Sequence, residues 1–155
     1  MSNKKSVIFD LDGTLALIDK RRELSSKTNG KIDWDIFFDP KNIELDEPNH
    51  PIIKMAQLLK ADGNRIVIFS GRSKGTKEAT VEWLNKFEVP FDVIKMRPTG
   101  KEFMFKPDDT LKQDWLDTLF PDKSDIICVF DDRAKVVKMW RDNNLTCVQV
   151  APGNF

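Results

Sequence analysis

The chain has 155 residues, 40% of them hydrophobic and 32% charged, with 25 lysines and arginines against 25 aspartates and glutamates. That length fits roughly one domain, able to bury about 70% of the surface its unfolded chain exposes, so no disulfide staple is required. The formal charge of zero excludes a strongly basic module held to nucleic acid by bulk electrostatics, and any nucleic-acid contact must come from a local basic patch. Cys128 and Cys147 lie in separate apolar runs and are too few for a disulfide framework. No apolar stretch reaches the roughly 18 residues of a membrane span, and residues 1–5 lead straight into a strand-like run. Neither a membrane anchor nor a signal peptide is expected, and a cytoplasmic setting is.

Short apolar runs alternate with helix-period segments, the pattern of a parallel sheet covered by helices on both faces, so the fold class is α/β. The first run, Val7-Ile8-Phe9, ends in Asp10-Leu11-Asp12-Gly13-Thr14. Residues 19–50 follow, charged and interrupted by Gly30, Pro40 and Pro48, with Trp34, Phe37 and Phe38 among them. This stretch is long for a plain loop and reads as a partly structured lid or a poorly ordered insertion. Its aromatics are expected to pack onto the core rather than stack a base. Ile52, Ile53, Ala56, Leu58 and Leu59 then form a helix face, with Gly63 placed at its end. Ile66 to Phe69 make a strand that runs into Ser70-Gly71-Arg72, and Thr80, Trp83, Leu84 and Phe87 make a second helix face. Val93-Ile94 is a short strand followed by Arg97. Leu111, Trp115 and Leu119 line a third helix. Ile126 to Phe130 form a strand ending in Asp131-Asp132-Arg133, before a fourth helix carrying Val136, Val137 and Trp140 and a last strand from Cys147 to Val150.

The carboxyl ends of parallel strands open onto the ligand crevice, so Asp10 and Asp12 stand at the mouth of a site. Aspartate and glycine are also common in turns, but a buried strand ending in Asp-x-Asp-Gly-Thr is more demanding than a turn. Asp131 and Asp132 repeat the arrangement. If the two strands are neighbours, three or four carboxylates converge, and they must be neutralised by protonation, by cationic side chains or by a metal. An all-oxygen set with no histidine or cysteine suits Mg²⁺. His50, between Asn49 and Pro51 at a helix start, reads as structural or solvated. The Ser70 hydroxyl and the backbone N–H groups around Gly71 can hold phosphoryl oxygens, although Ser-Gly is also an ordinary turn. The run from Gly71 to Lys77 looks like a phosphate loop but fails the G-x-x-x-x-G-K-[ST] spacing.

Together, Asp10-x-Asp12-Gly-Thr, Ser70, a lysine opening a later helix and Asp131-Asp132 resemble the four motifs of the haloacid dehalogenase-like phosphatase superfamily. Within it, residues 70–77, 131–141 and 149–155 look like the 3′-phosphatase domain of bacteriophage polynucleotide kinase-phosphatase. The resemblance implies a Rossmann-like three-layer α/β/α sandwich forming one domain over residues 1–155, with 19–50 as a small cap. It implies a Mg²⁺-dependent phosphomonoesterase in which Asp10 is the nucleophile and Asp12 the general acid and then base. Asp12 is expected to have its pKa raised by its crowded neighbours. Ser70 would hold a phosphoryl oxygen, and Lys112, preferred to Lys106, would be the motif lysine, oriented by Asp108. Asp10, the main-chain carbonyl of Asp12, and Asp132 would hold the metal, with Asp131 in support. Thr14, Arg21, Gly71, Arg72 and Arg97 fall on the substrate side, where arginine forks suit phosphates. The substrate implied is the 3′-phosphate end of DNA or RNA. A free nucleotide or another small phosphomonoester is the second reading, and a non-catalytic module binding nucleic-acid ends or a partner is the third. No obligate protein partner is readable, and the phage-like match implies a phage-encoded or bacterial protein.

Overall fold

Val7, Ile8 and Phe9 are wholly buried, which puts the first apolar run inside a sheet covered on both faces. The computed structural model describes residues 4–155, so residues 1–3, on which the expectation of no leader partly rests, lie outside it. Among the described residues the elements run β1 (Ser6–Phe9), β2 (Ala16–Leu17), α1 (Asp19–Ser25), α2 (Trp34–Phe37), β3 (Glu47–Pro48), α3 (His50–Ala61), β4 (Arg65–Ser73), α4 (Lys77–Lys86), β5 (Val93–Arg97), α5 (Lys101–Met104), α6 (Asp108–Leu119), β6 (Ile126–Asp131), α7 (Ala134–Asp142) and β7 (Cys147–Gln149). Five of the strands pair in parallel in the order β5-β4-β1-β6-β7.

Side chains alternate across a strand, and this divides the interior into two layers. Val7, Phe9, Ile66 and Ile68 face one layer, closed by Ile53 and Ala56 of α3 and by Trp83 and Leu84 of α4. Ile8, Val67, Phe69 and Val129 face the other, closed by Leu111, Trp115 and Leu116 of α6 and by Val136, Val137 and Trp140 of α7. Each such side chain stabilises the fold by ~1.5–3 kcal/mol when fully buried. The result is the three-layer α/β/α sandwich, and Cys128 and Cys147 within it are free thiols. No helix among the described residues is long and apolar enough to cross a membrane.

Three local expectations are corrected. Leu58 is exposed while Leu59 packs on the core, because adjacent helical residues point about 100° apart. On α6, Leu119 is exposed at the helix end and Leu116 is buried in its place. The chain does not turn at Ser70: β4 continues to Ser73, which pairs with Arg97 of β5 across an irregular register. The turn begins at Ser73, whose hydroxyl accepts from the Gly75 N–H at 3.2 Å. Gly63 does close α3, with φ of +92° and its N–H on the Lys60 carbonyl at 3.0 Å.

Residues 19–50 are structured. Asp33 caps α2 and Asp39 caps a 3₁₀ turn over Pro40–Leu45. The segment then returns as β3, antiparallel to β2. Phe37 and Ile43 enter the first core layer. Trp34 stays 59% exposed, with its ring stacked 5.7 Å from that of Phe38.

Candidate active site

The chain winds from β1 through β4 to β5 in one direction, then crosses to β6 and β7 on the other side. The strand order therefore reverses between β1 and β6, where crevices open at the carboxyl ends. Asp10 follows β1, Asp131 ends β6 and Asp132 comes next. The Asp10 N–H donates to the Phe130 carbonyl at 2.9 Å and ties the two strand ends together. All three side chains are buried, with carboxylate oxygens within 4.8 Å of one another.

One cation enters this group. Lys112 lies on the buried stripe of α6 with Leu111, Trp115 and Leu116, and its Nζ stands 2.8 Å from Asp10 and 3.1 Å from Asp131. Asp131 also accepts from Trp140 Nε1 at 3.0 Å and from the Asp132 N–H at 2.8 Å. Thr14 Oγ1 donates to Asp10 at 3.0 Å. Burial, then the charge of Asp131, push the Asp10 carboxyl well above its usual range against the opposing pull of Lys112. Burial raises Asp132 as well. Burial alone would lower Lys112, but Asp10 and Asp131 outweigh it and keep the ammonium protonated above its ordinary range. Fully ionised, the three carboxylates would exceed the one ammonium by two charges, which one divalent cation would match. The all-oxygen donor set fits a hard ion such as Mg²⁺.

Asp12 belongs to a second network. Its Oδ1 accepts from Arg21 Nη2 at 3.0 Å, from Arg72 Nε at 2.9 Å and from Arg72 Nη2. Asp46 lies across the two guanidinium groups, 2.9 Å from Arg21 Nε and 2.7 Å from Arg72 Nη2. Arg21 also donates to the Phe37 carbonyl and lies 4.4 Å over the Phe37 ring, while Arg72 donates to Thr80. Both arginines are fully buried, so neither projects from the rim. The expectation for Asp12 is corrected here. Burial would raise its carboxyl, but the charges and hydrogen bonds of Arg72 and Arg21 outweigh it and hold the group below the usual range.

The backbone explains the glycine of Asp-x-Asp-Gly-Thr. Gly13 has φ of +84°, and a Cβ there would stand 2.1 Å from Asp132 Oδ2. Ser70 is buried with its Oγ accepting the Arg72 N–H at 3.2 Å. Asp108 does not hold Lys112. Its carboxylate accepts instead from Arg97 and, at 3.1 Å, from Arg133, and a Cβ on Gly71 would meet it at 2.7 Å. Arg97 also donates to the Gly71, Phe103 and Lys106 carbonyls, so its fork is committed to the protein. Lys106 pairs with Asp114 on α6, away from Asp10.

Asp46, Trp140, Arg133 and Gly153 were not singled out by the sequence. Gly153 packs on the strand end so closely that a Cβ would lie 1.9 Å from the Asp132 carbonyl oxygen. That carbonyl also accepts from Gln149 at 3.0 Å. Arg133, beside the visible Asp131-Asp132 pair, had the clearest signal; Asp46 had none beyond its charge.

A family model described as polynucleotide kinase PNKP phosphatase domain matches residues 4–155. A protein of Autographa californica nuclear polyhedrosis virus, named as a bifunctional polynucleotide kinase/RNA ligase, is 32% identical over 151 residues, which is 93% of this chain and 19% of the viral one. A solved structure of the Pnkp1/Rnl/Hen1 RNA repair complex matches with a TM-score of 0.78 at 28% identity, over 100% of this chain and 45% of that one. A crystal structure described as a predicted phosphatase from Clostridium acetobutylicum matches in fold, with a TM-score of 0.71 at 17% identity over 96% and 85% of the two chains. The chain thus spans about a fifth of the viral relative and under half of the RNA-repair chain.

Proposed function

The chain belongs to the polynucleotide kinase phosphatase-domain family of haloacid dehalogenase-like phosphatases, and from that membership we propose that it removes the 3′-phosphate from polynucleotide ends in a Mg²⁺-dependent reaction. The observation that carries the chemistry is the buried pair of Asp10 and Lys112, 2.8 Å apart at the end of the central strand and beside two further carboxylates. The substrate class rests on the family and on relatives named for polynucleotide kinase and RNA repair.

Asp10 is the nucleophile. Its carboxylate attacks phosphorus while the bond to the ester oxygen breaks, giving an aspartyl-phosphate, and water then hydrolyses that anhydride to release phosphate and restore Asp10. Lys112 opposes the burial that raises Asp10 and donates to the charge spread over the phosphoryl group. Asp12 moves the protons. As the carboxylate held by Arg21 and Arg72 it is the base for the hydrolytic water, and the arrival of a dianionic ester raises its proton affinity for the acid step. Ser70 and the backbone at Gly71 bind phosphoryl oxygens, with Thr14 orienting Asp10. Asp10, Asp132 and the Asp12 carbonyl, with Asp131 behind, would hold Mg²⁺, which would supply charge to offset repulsion between nucleophile and phosphate. Residues 19–50 serve as a small cap on a single domain, bracing Asp12 through Arg21 and Asp46.

The test is phosphate release from an oligonucleotide carrying a 3′-phosphate, with Mg²⁺ and with chelator, beside Asp10→Asn. A 5′-phosphorylated oligonucleotide and a nucleoside 3′-monophosphate are run in parallel. The expected result is Mg²⁺-dependent release from the 3′ end, reduced about 10³-fold or more by Asp10→Asn. Release from the mononucleotide alone would remove the polynucleotide substrate and keep the chemistry. Release from none of the three would overturn the proposal.

A further inference from the structure

Phe105 is 87% exposed, and Met104 beside it 60%. Leaving a phenylalanine in water forgoes the stabilisation that burial gives, so an exposed ring on a held segment beside a site asks for a partner. The backbone that carries this ring is held from below. The Arg97 guanidinium donates to the Phe103 and Lys106 carbonyls at 2.6 Å each, and so grips the backbone on both sides of Phe105. The same guanidinium donates to the Gly71 carbonyl at 3.0 Å and to Asp108, which places the segment against Ser70. Phe105 and Asp108 are three positions apart, so their Cα atoms are at most about 11 Å apart. Asp108 also accepts from Arg133, the neighbour of Asp132.

The surroundings are cationic. Residues 95–106 carry Lys95 and Lys101 against Glu102, besides Arg97 and Lys106, whose charges pair with Asp108 and Asp114. Lys74 and Lys77 are exposed on the turn beyond Ser73, and Ser73 pairs with Arg97. In a chain of zero formal charge, this is a local basic patch joined to an exposed ring at the rim of the site. That pairing of π-face and cations suits single-stranded nucleic acid, whose bases present free faces and whose backbone is a polyanion.

We propose that Phe105 is a specificity-determining stacking platform, on which a base of a single-stranded 3′ end lies while the 3′-phosphate enters at Asp10. The inference rests on the polynucleotide reading above and deepens it, because it separates a chain end from a mononucleotide. The experiment compares wild type, Phe105→Ala and Phe105→Trp on a single-stranded 3′-phosphorylated oligonucleotide and on a nucleoside 3′-monophosphate. Phe105→Ala is expected to raise KM for the oligonucleotide about 5- to 100-fold, the range that stacking of one base spans, with kcat little changed. Its preference for oligonucleotide over mononucleotide falls in proportion, and Phe105→Trp restores it. A KM for the oligonucleotide within twofold of wild type in Phe105→Ala would overturn the inference, as would an equal rise for both substrates. Wild type that releases phosphate from the oligonucleotide in either case leaves the proposed function standing; wild type that releases none sinks both.

Discussion

Asp10 and Asp12 are two residues apart on one strand end, yet their surroundings drive them in opposite directions. Burial and the neighbouring Asp131 raise the first, while Arg72 and Arg21 prevail over burial and lower the second. Such divergence between adjacent carboxylates suits the proposed division of labour, with Asp10 as nucleophile and Asp12 as the group that moves protons. Asp46 shares the two arginines with Asp12 and is itself buried between them. Removing it leaves two buried guanidinium groups with Asp12 as their remaining carboxylate partner, and Asp46→Ala is expected to destabilise the fold by about 3–5 kcal/mol. In a chain of this size that lowers the melting temperature by roughly 10 °C or more, which calorimetry measures directly. A shift under about 2 °C would show that the arginines had found other partners. Asp46 was illegible in the sequence for a physical reason: it is one acid in a charged, irregular stretch, and only the three-dimensional return of β3 beside β2 brings it to Arg72. Asp10, Asp12 and Asp132 stood out because a buried strand ending in acids is unusual in any context.

The elements were legible where period and length agree, and less so where geometry at an end decides. The alternation of Val7, Ile8 and Phe9 across β1 and the stripe on α7 follow from side-chain direction alone. Leu58 and Leu119 did not, because a helix face is about a third of the circumference and the sequence leaves its edges undefined. The extension of β4 through Gly71 and Arg72 was hidden by residues typical of turns, and pairing with β5 overrode that preference. Asp92 holds this half of the sheet to α3. One oxygen lies 2.6 Å from Lys60 Nζ, and the other accepts the Ile66 N–H at 2.8 Å. Burial opposes ionisation there, but the hydrogen bonds from Lys60 and Ile66 prevail and hold the carboxyl below its usual range. A group lowered in this way stabilises the fold above its unfolded pKa of about 3.9 and ceases to do so as pH falls through its folded value. Asp92→Ala is therefore expected to lose about 1–2 kcal/mol at neutral pH. The gap from wild type should close as pH is taken below 4, as denaturant titrations at several pH values would read. A gap constant with pH would assign the loss to packing instead.

At the scale of the whole molecule the charges balance while the site does not. The formal charge is zero, but Asp10, Asp131 and Asp132 outnumber Lys112 within one buried cluster. A divalent cation bound there stabilises the folded chain and leaves the unfolded one unaffected. At a hundred times its dissociation constant Mg²⁺ adds about 2.7 kcal/mol, a rise of roughly 5–10 °C in melting temperature. Chelator is expected to reverse the rise and Asp132→Asn to abolish most of it; an undiminished rise in that variant would place the cation elsewhere. In the sequence this cluster was legible only on the condition that the two strands are neighbours, and the reversal of strand order between β1 and β6 supplies that condition. The same topology has a consequence in time. Asp10 is met by Lys112 across 102 positions of chain, and Asp12 by Arg72 across 60. On a ribosome adding roughly 5–20 residues per second, Asp10 emerges some 5–20 s before Lys112. The Asp10 and Asp12 carboxylates thus exist well before the cations that hold them, and contacts this distant in sequence are the slow ones to form.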